Sequence, residues 1–180
     1  MIDAHENTDG HGRPVTDPVI RTLVDSDRPA VLDILTRAGN FSQEEINVAM
    51  ELVDEWLVDG EASGYLTHVV EESDADARTV RGYVCVGPAP MTHGTFDLYW
   101  IAVDPDAQGR GFGALLLAAA EQEVQARRGH LLLIETASQA SYGAAVRFYE
   151  RSGYRLVSRI EDYYRTGDDK LTFAKRLRES

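Results

Sequence analysis

The stretch Ile101-Ala-Val-Asp-Pro-Asp-Ala-Gln-Gly-Arg-Gly-Phe-Gly113, followed by the helix-forming run Ala114 to Arg127, decides the fold. Its pattern predicts a buried strand, a turn at Asp104-Pro105, a glycine-rich loop and a long helix. The loop glycines at 109, 111 and 113 allow positive φ and a close approach of main-chain N–H groups to a ligand. A helix start adds unpaired N–H groups and a partial positive charge. The stretch is therefore typical of a phosphate-binding loop, with Arg110 as a cation at its rim.

Two well-known phosphate-binding fingerprints do not fit this loop. A Walker loop needs Gly-x-x-x-x-Gly-Lys-Ser/Thr, and no such string occurs. A dinucleotide fingerprint is Gly-x-Gly-x-x-Gly, and here the third glycine, Gly113, comes one residue early. A purely structural turn remains an alternative on the loop alone.

Composition limits the class of protein. The 180 residues are 43% hydrophobic and 27% charged, which predicts a single soluble domain over residues 18–180 after a disordered tail at 1–17. Its 18 Lys and Arg against 30 Asp and Glu give a net charge of -12, which argues against a nucleic-acid partner. A single cysteine, Cys85, and the lack of an apolar run of membrane-spanning length or a signal-peptide core predict a cytoplasmic protein with no membrane partner.

Hydrophobic periodicity and turn signals predict an α/β (α+β) chain. Helices are expected after Asp27, after Ser42, after the glycine loop and over Ser141 to Ser152, whereas strands are expected at Val19 to Val24, Tyr65 to Val70, Val80 to Val86, Thr95 to Val103, Leu131 to Thr136, Tyr154 to Ile160 and Lys170 to Leu177. The segment from Glu71 to Ala77 is predicted to be an acidic turn.

The same patterns predict which faces are buried. In the central strand, Phe96, Leu98, Trp100 and Ala102 should share one side. The nearly all-apolar Leu131 to Thr136 should be a parallel strand covered on both faces. The buried stripe of the helix after the loop should consist of Phe112, Leu115, Leu116, Ala119 and Ala126.

A second stretch strengthens the interpretation of the loop. Tyr142-Gly-Ala-Ala-Val-Arg-Phe-Tyr-Glu-Arg-Ser-Gly-Tyr154 resembles the pattern Asn-x-x-Ala-x-x-Phe/Leu-Tyr-x-x-x-Gly-Phe/Tyr of the GNAT N-acetyltransferase superfamily. The loop resembles that family's acetyl-CoA motif, Gln/Arg-x-x-Gly-x-Gly/Ala, through Gln108, Gly111 and Gly113. The resemblance covers about residues 19 to 177 and departs at Tyr142, where the family usually has an Asn associated with the CoA arm.

This resemblance implies a fold and an activity. The fold would be a mixed, mostly antiparallel sheet of six to seven strands, splayed at its parallel pair and carrying about four helices. The activity would be direct transfer of acetyl from acetyl-CoA to a primary amine of a small molecule or of a peptide or protein N-terminus, without a metal, by a monomer or homodimer. A non-catalytic acetyl-CoA-binding regulator is the alternative.

The resemblance also implies which residues contact the cofactor. These are Ile101, Ala102 and Val103 of the strand, Gln108, Gly109, Arg110, Gly111, Phe112, Gly113 and Ala114 of the loop, and Tyr142. The N–H of Val103 would hold the thioester oxygen, and the loop amides would hold the pyrophosphate. Tyr149 would protonate the leaving thiolate, with a core aromatic as the alternative reading.

Glu135 is the candidate base. A carboxylate after Leu-Leu-Leu-Ile would cost several kcal/mol if it were sealed from water, so it must face a polar cleft or a cationic partner. Its position resembles the catalytic Glu of ribosomal-protein alanine acetyltransferases, and pairing with a nearby Arg is the alternative. Asp97 and Tyr99 are second choices that would act through water.

Two further segments are candidates for the acceptor side. Tyr163 and Tyr164 belong to a segment, Asp162 to Lys170, that resembles the acceptor loop of peptide-accepting members or is a plain hairpin turn. The segment Asp54 to Asp76 has eight acidic residues and no Lys or Arg, which indicates a solvated face or a surface that attracts a cationic amine. The five histidines are scattered, which predicts no metal site.

Overall fold

The computed structural model describes residues 17–74, 77–139 and 142–177, so the predicted tail at 1–16 and the predicted helix start at Ser141 lie outside the described residues. One mixed sheet has the strand order β1-β2-β3-β4-β5-β7-β6, and only the β4–β5 pair is parallel. Its seven strands in the described part are β1 Val19–Thr22, β2 Leu66–Asp74, β3 Ala77–Pro88, β4 Thr95–Val103, β5 Leu131–Ala137, β6 Arg155–Arg165 and β7 Asp168–Arg176. The predicted fold class is confirmed.

Four α-helices lie within the described ranges: α1 Arg28–Ala38, α2 Gln43–Asp59, α3 Phe112–Ala126 and α4 Gly143–Arg151. The helix expected after Ser42 begins with a capping box, because Ser42 Oγ accepts the Glu45 N–H at 3.2 Å and Glu45 Oε2 accepts the Ser42 N–H at 2.7 Å. Asp27 does not cap α1 with its side chain. Its carboxylate instead accepts hydrogen bonds from Arg21 and from the Val24 N–H.

The helices divide into two layers. Helices α3 and α4 cover one face of the sheet, whereas α1 and α2 cover the other face over the β2 to β4 side. No described helix covers this second face over β5, β7 and β6. The prediction that β5 is covered on both faces is therefore wrong: Leu132 and Ile134 are buried, but Leu131 and Leu133 are only half-buried and Glu135 is exposed.

The stripe that α3 buries is rotated from the predicted one. Its buried side chains are Phe112, Leu116, Leu117, Ala120 and Val124. Leu115 is 39% exposed, Ala119 is half-buried and Ala126 is exposed. The helix begins at Phe112, and the row at intervals of four residues from this position faces the sheet.

Two predicted loops are largely strand. Strands β2 and β3 stay paired through Asp74 and Ala77, so the predicted turn from Glu71 to Ala77 was too long. Strand β6 continues to Arg165, which pairs with Asp168 across a tight turn at Gly167, whose φ is 80°. Polar side chains are tolerated in these strands because one or both faces are open to water.

A bulge at Tyr99 reverses the two sides of the central strand. Cys85 pairs with Trp100 and Val86 with Leu98, so Tyr99 has no partner of its own on β3. Leu98 therefore packs in the α3/α4 core, whereas Trp100 and Ala102 pack in the α1/α2 core. The prediction that all four residues share one side is wrong because strict alternation stops at the bulge.

Candidate active site

A cleft of about 720 Å³ opens where β4 and β5 separate. Their parallel pairing ends at Leu98 and Ile134, while β5 stays paired with β7 as far as Ala137. The cleft is lined by the split strands, α4, the start of α2 and the β6–β7 hairpin, with side chains that include Glu44, Glu45, Tyr99, Trp100, Ile101, Glu135, Tyr142, Tyr149, Tyr164, Arg165 and Asp168. Most of the predicted catalytic and acceptor residues are thus brought together.

The main chain of β4 directs two N–H groups, those of Ile101 and Val103, toward the gap where β4 and β5 separate. The Asp104 N–H donates to the Arg81 carbonyl at 2.8 Å, which makes this a hydrogen-bonded pair of the antiparallel ladder. Hydrogen-bonded and non-bonded pairs alternate along such a ladder. The N–H groups of Val103 and Ile101 therefore face away from β3, toward the side where β5 has departed, whereas the N–H of Ala102 faces β3.

The loop from Gln108 to Ala114, called here the donor loop, lies at the start of α3. Gly109 and Gly111 have φ values of 77° and 89°, and a Cβ at either position would meet no atom within 4 Å. The Gln108 N–H donates to the Pro105 carbonyl, but the amides of Gly109, Arg110 and Gly111 have no protein acceptor among the described residues. With the unpaired first amides of α3, they form a run of donors that fits a phosphate or pyrophosphate group.

A network of ion pairs links the donor loop to the turn that precedes it. The Arg110 guanidinium pairs with Glu72, which also accepts from Arg81 at 3.2 Å. These contacts, chiefly the hydrogen bond from Arg110, hold the pKa of Glu72 below its usual range. Arg81 also pairs with Asp104 at 3.0 Å, in the turn between β4 and the donor loop. The Arg110 cation is therefore held at the edge of the donor loop.

Tyr149 is both a core aromatic and a cleft residue. It is 6% exposed, and its ring packs against Phe148, Tyr154 and Phe173. No group in the described part of the chain forms a hydrogen bond with its hydroxyl. Burial raises the pKa of the phenol well above its ordinary value, so Tyr149 is protonated at neutral pH.

Glu135 faces the cleft and has a cationic partner. Its Oε2 lies 2.7 Å from Lys170 Nζ on the paired strand β7, so the partner is a Lys and not the Arg expected from sequence. The hydrogen bond to Glu135 raises the pKa of Lys170. Asp97 is half-buried, and its pKa is raised by desolvation and by the charge of Glu135, against the effect of Lys170. Asp97 does not line the cleft, whereas Tyr99 does.

Tyr142 spans the cleft. Its hydroxyl donates to the Asn40 carbonyl at 3.0 Å and lies 3.3 Å from Glu45 Oε1, which ties the start of α4 to the start of α2. Burial and the charge of Glu45 raise the pKa of Tyr142 to about 12. These contacts place Tyr142 in the wall of the cleft.

The two hairpin tyrosines have different positions. Tyr164 lines the cleft, but Tyr163 does not. The Tyr163 ring contacts Tyr164 edge-on, with 4.9 Å between centroids, and lies 4.9 Å below Lys170 Nζ. The irregular pairing of β6 between Ile160 and Arg165 produces this difference, because β6 bulges out of the ladder there.

Sequence reasoning missed two of the acids that line the cleft. Glu44 and Glu45 lie at the start of α2, where no local signal points to the site. Asp168 belongs to the Asp162 to Lys170 segment, which was predicted to be an acceptor loop or a hairpin turn. No described residue of the predicted acidic segment from Asp54 to Asp76 lines the cleft. Among its described side chains, Asp54 pairs with Arg28 and Glu71 with Arg21.

Other chemistry has little support in the described residues. They contain no cluster of three or more His, Cys, Asp or Glu side chains arranged to hold a metal. Cys85 is buried, and burial raises the pKa of its thiol to about 12, so it is not a nucleophile at neutral pH. None of the described helices is long and apolar enough to cross a membrane.

Comparison with known proteins identifies the fold. The sequence profile of the acetyltransferase (GNAT) domain matches residues 63–156. The crystal structure of a Desulfovibrio desulfuricans protein assigned to the GNAT family is 39% identical, covers 90% of this chain and 100% of its own, and superposes with a TM-score of 0.83. The yncA protein of Salmonella typhimurium, solved with acetyl-CoA, shares the fold at 18% identity, with a TM-score of 0.67 over 91% of this chain and 95% of its own.

A curated relative gives a narrower match. The ribosomal protein bS18-alanine N-acetyltransferase of Salmonella typhimurium is 39% identical over 69 residues, which are 38% of this chain and 45% of the relative. The chain thus spans about half the length of the curated relatives that it matches. The family profile and the full-length structural match nevertheless agree with the split sheet and the donor loop, and the chain belongs to the GNAT acetyltransferase family.

Proposed function

We propose that the protein transfers an acetyl group from acetyl-CoA to a primary amine of a small molecule or of a protein N-terminus. The observation that carries this proposal is the run of unpaired amides in the donor loop beside a sheet that splits at the Tyr99 bulge. A structural neighbour with the same fold was solved with acetyl-CoA, which supports the choice of donor. The relatives that acetylate an N-terminal alanine of a ribosomal protein support an amine as the acceptor.

The donor would be held mainly by main-chain groups. The amides of Gly109 to Ala114 would bind the pyrophosphate, and Arg110 would leave Glu72 to meet a phosphate oxygen. Because the Gln108 N–H is already bonded to Pro105, the binding run begins one residue later than the sequence suggested. The outward N–H of Val103 would hold the thioester oxygen, a kind of contact whose loss costs about 10²- to 10³-fold in rate.

The chemistry would use two side chains of the cleft. Glu135 takes the first proton that the ammonium loses, and the amine nitrogen then forms a C–N bond with the acetyl carbon as the C–S bond breaks. The second proton leaves the nitrogen as the amide forms and reaches the leaving thiolate through Tyr149, which faces the sulfur. A thiol has a pKa near 8.5, which is below that of the buried phenol. Tyr149 therefore acts first as a hydrogen-bond donor to the thiolate, and proton transfer follows.

A thiol-release assay tests the proposal. The protein is incubated with acetyl-CoA and a panel of primary amines, and free CoA thiol is measured against the amine-free background. We expect thiol release above background with at least one amine and a matching mass gain of one acetyl group on it. Binding of acetyl-CoA without turnover on any amine would favour the regulator, and no binding would refute the proposal.

A further inference from the structure

Asp168 is a buried carboxylate with one unused oxygen in the wall of the cleft. It is 3% exposed and begins β7. Its Oδ2 accepts from Gln139 Nε2 and lies 3.8 Å from Arg165 Nε. Its Oδ1 has no hydrogen-bond partner among the residues that the structure describes. A buried polar atom without a partner is costly, which points to a ligand that completes it.

The adjacent residue shows that the hairpin does not require this arrangement. Asp169 is also buried, at 5% exposure, but both of its oxygens are used. Oδ1 accepts the Asp162 N–H at 3.0 Å, and Oδ2 accepts from Arg159 Nε at 2.5 Å. These contacts fasten the two strands together. Asp169 therefore already holds β6 and β7 together, and Asp168 Oδ1 is not needed for that contact.

The charge around Asp168 selects the sign of the ligand. Glu44, Glu45 and Glu135 line the same cleft, and Arg165 is the one Arg or Lys among the described lining residues. Lys170 pairs with Glu135. Burial and the charge of Glu135, with a smaller contribution from Asp168, raise the pKa of Tyr164, whereas the charge of Lys170 acts in the opposite direction. A cation is therefore favoured at this end of the cleft and an anion is disfavoured.

We propose that Asp168 Oδ1 binds a second cationic group of the acceptor, an ammonium or guanidinium separate from the nitrogen that is acetylated. The inference rests on the proposed function, since it names the acceptor class for the same cleft. The reacting nitrogen must lose a proton, and a buried carboxylate would hold that nitrogen in its charged form. Asp168 is therefore suited to a second, permanently charged group, as in a diamine or a basic peptide.

The test compares matched amines on three proteins: the wild type, Asp168→Asn and the control Asp169→Asn. The probes are 1,4-diaminobutane against 1-aminobutane, and a short peptide with Arg at its second position against the same peptide with Ala. We expect Asp168→Asn to lower kcat/KM for the dicationic member of at least one pair by about 10- to 100-fold. The kcat/KM for the monocationic member of that pair should change less than about twofold, and acetyl-CoA affinity should not change.

The control variant and the two kinds of acceptor, diamine and peptide, give separate outcomes. Asp169→Asn should lower the melting temperature but leave the preference for the dicationic member intact. An effect confined to the diamine pair identifies a small-molecule acceptor, and one confined to the peptide pair identifies a peptide. An equal loss of kcat/KM on both members of each pair would overturn the inference. A wild type that shows no preference for the dicationic members would also overturn it, and this result does not depend on whether Asp168→Asn folds.

A binding measurement separates this inference from the proposed function. Calorimetry with 1,4-diaminobutane and with the Arg peptide, in the presence of CoA, reports amine affinity without turnover. If no amine is acetylated, weaker binding of either probe to Asp168→Asn than to the wild type would still support the inference. Equal binding of both probes to the two proteins would refute it.

Discussion

The proposed site has two halves that are built from different parts of the chain. The proposed donor half would use main-chain amides of Gly109 to Ala114 and of Val103, which are not among the residues that line the cleft. The proposed acceptor half would use cleft side chains from distant elements, including Glu45, Glu135 and Asp168. A main-chain site depends on local conformation, so it leaves a compact sequence motif. A side-chain site depends on which elements meet, so its residues are dispersed along the sequence.

Tyr149→Phe should have the largest effect, because this residue lies where the two halves meet. We expect kcat to fall by about 10²-fold or more, since the leaving thiolate loses its donor. The acetyl-CoA dissociation constant should stay within about twofold, because the phenyl ring preserves the packing with Phe173. Steady-state kinetics and calorimetry measure the two quantities. An unchanged kcat would remove Tyr149 from the chemistry.

Gly111→Val tests the donor half alone. At a φ of 89° a β-branched residue carries strain of about 1 to 3 kcal/mol, and its side chain would fill the open space beside the amides. We expect acetyl-CoA affinity to fall by about 10- to 100-fold. Gly64→Val is the matched control, since Gly64 has a φ of 83° and similar open space but precedes the start of β2, whereas Arg110 of the donor loop pairs with Glu72 near the other end of that strand. Equal affinity losses in both variants would contradict a main-chain site.

Glu135→Gln and Lys170→Met test the acceptor half. A base must be ionised to accept a proton, so the rate should rise with pH through an acidic limb, and Glu135→Gln should flatten it. Lys170 lowers the pKa of Asp97, the second-choice base, so removing its ammonium disfavours the ionised form of Asp97. An acidic limb that survives in Glu135→Gln and moves to higher pH in Lys170→Met would therefore assign the base to Asp97. A pH–rate profile that is the same in all three proteins would assign the base to solvent.

Asp104→Asn should give the smallest effect, on stability. Burial raises the pKa of Asp104, but hydrogen bonds from the Asp106 N–H, Arg81 and Arg37 together hold it below its usual range. The stabilisation is thus fully present above about pH 4 and is lost as the pH falls through the lower folded value. The unfolding free energy of the variant should depend less on pH between about pH 5 and pH 2.

The control for this prediction is Asp106→Asn. The Asp106 side chain is 80% exposed and pairs only with Arg37 at 3.0 Å, so its variant should keep the wild-type pH dependence. Denaturant titrations at a series of pH values measure all three proteins. Parallel curves for the wild type and Asp104→Asn would show that this carboxylate does not stabilise the start of the donor loop.

The sequence predicted the β4–loop–α3 segment better than the walls of the cleft for physical reasons. Glycine spacing, the strand before it and the helix after it are local, so the loop between β4 and α3 could be located from the sequence. The Tyr99 bulge could not be predicted, because it depends on the register between β4 and β3. The pairing of Glu135 with Lys170 could not be predicted either, because it requires that β7, the last strand in sequence, lies between β5 and β6 in the sheet.

The acceptor side was harder to predict for a related reason. Asp168 belongs to the segment that was predicted to be either an acceptor loop or a hairpin turn, and Glu45 is a capping residue in sequence and in the structure. Only the folded chain brings both to one cleft. Conversely, the acidic segment around Asp54 was prominent in the sequence, but arginines from other elements pair with several of its members.

The most direct test of the account is NMR mapping of backbone amides during titration with CoA. The account predicts saturable shifts at Gly109 to Ala114 and at Val103, with smaller changes at Asp168. It also predicts slower hydrogen exchange for the loop amides once the ligand is bound. Saturable shifts centred elsewhere, or no saturable shift at all, would contradict the assignment of this loop as the donor site.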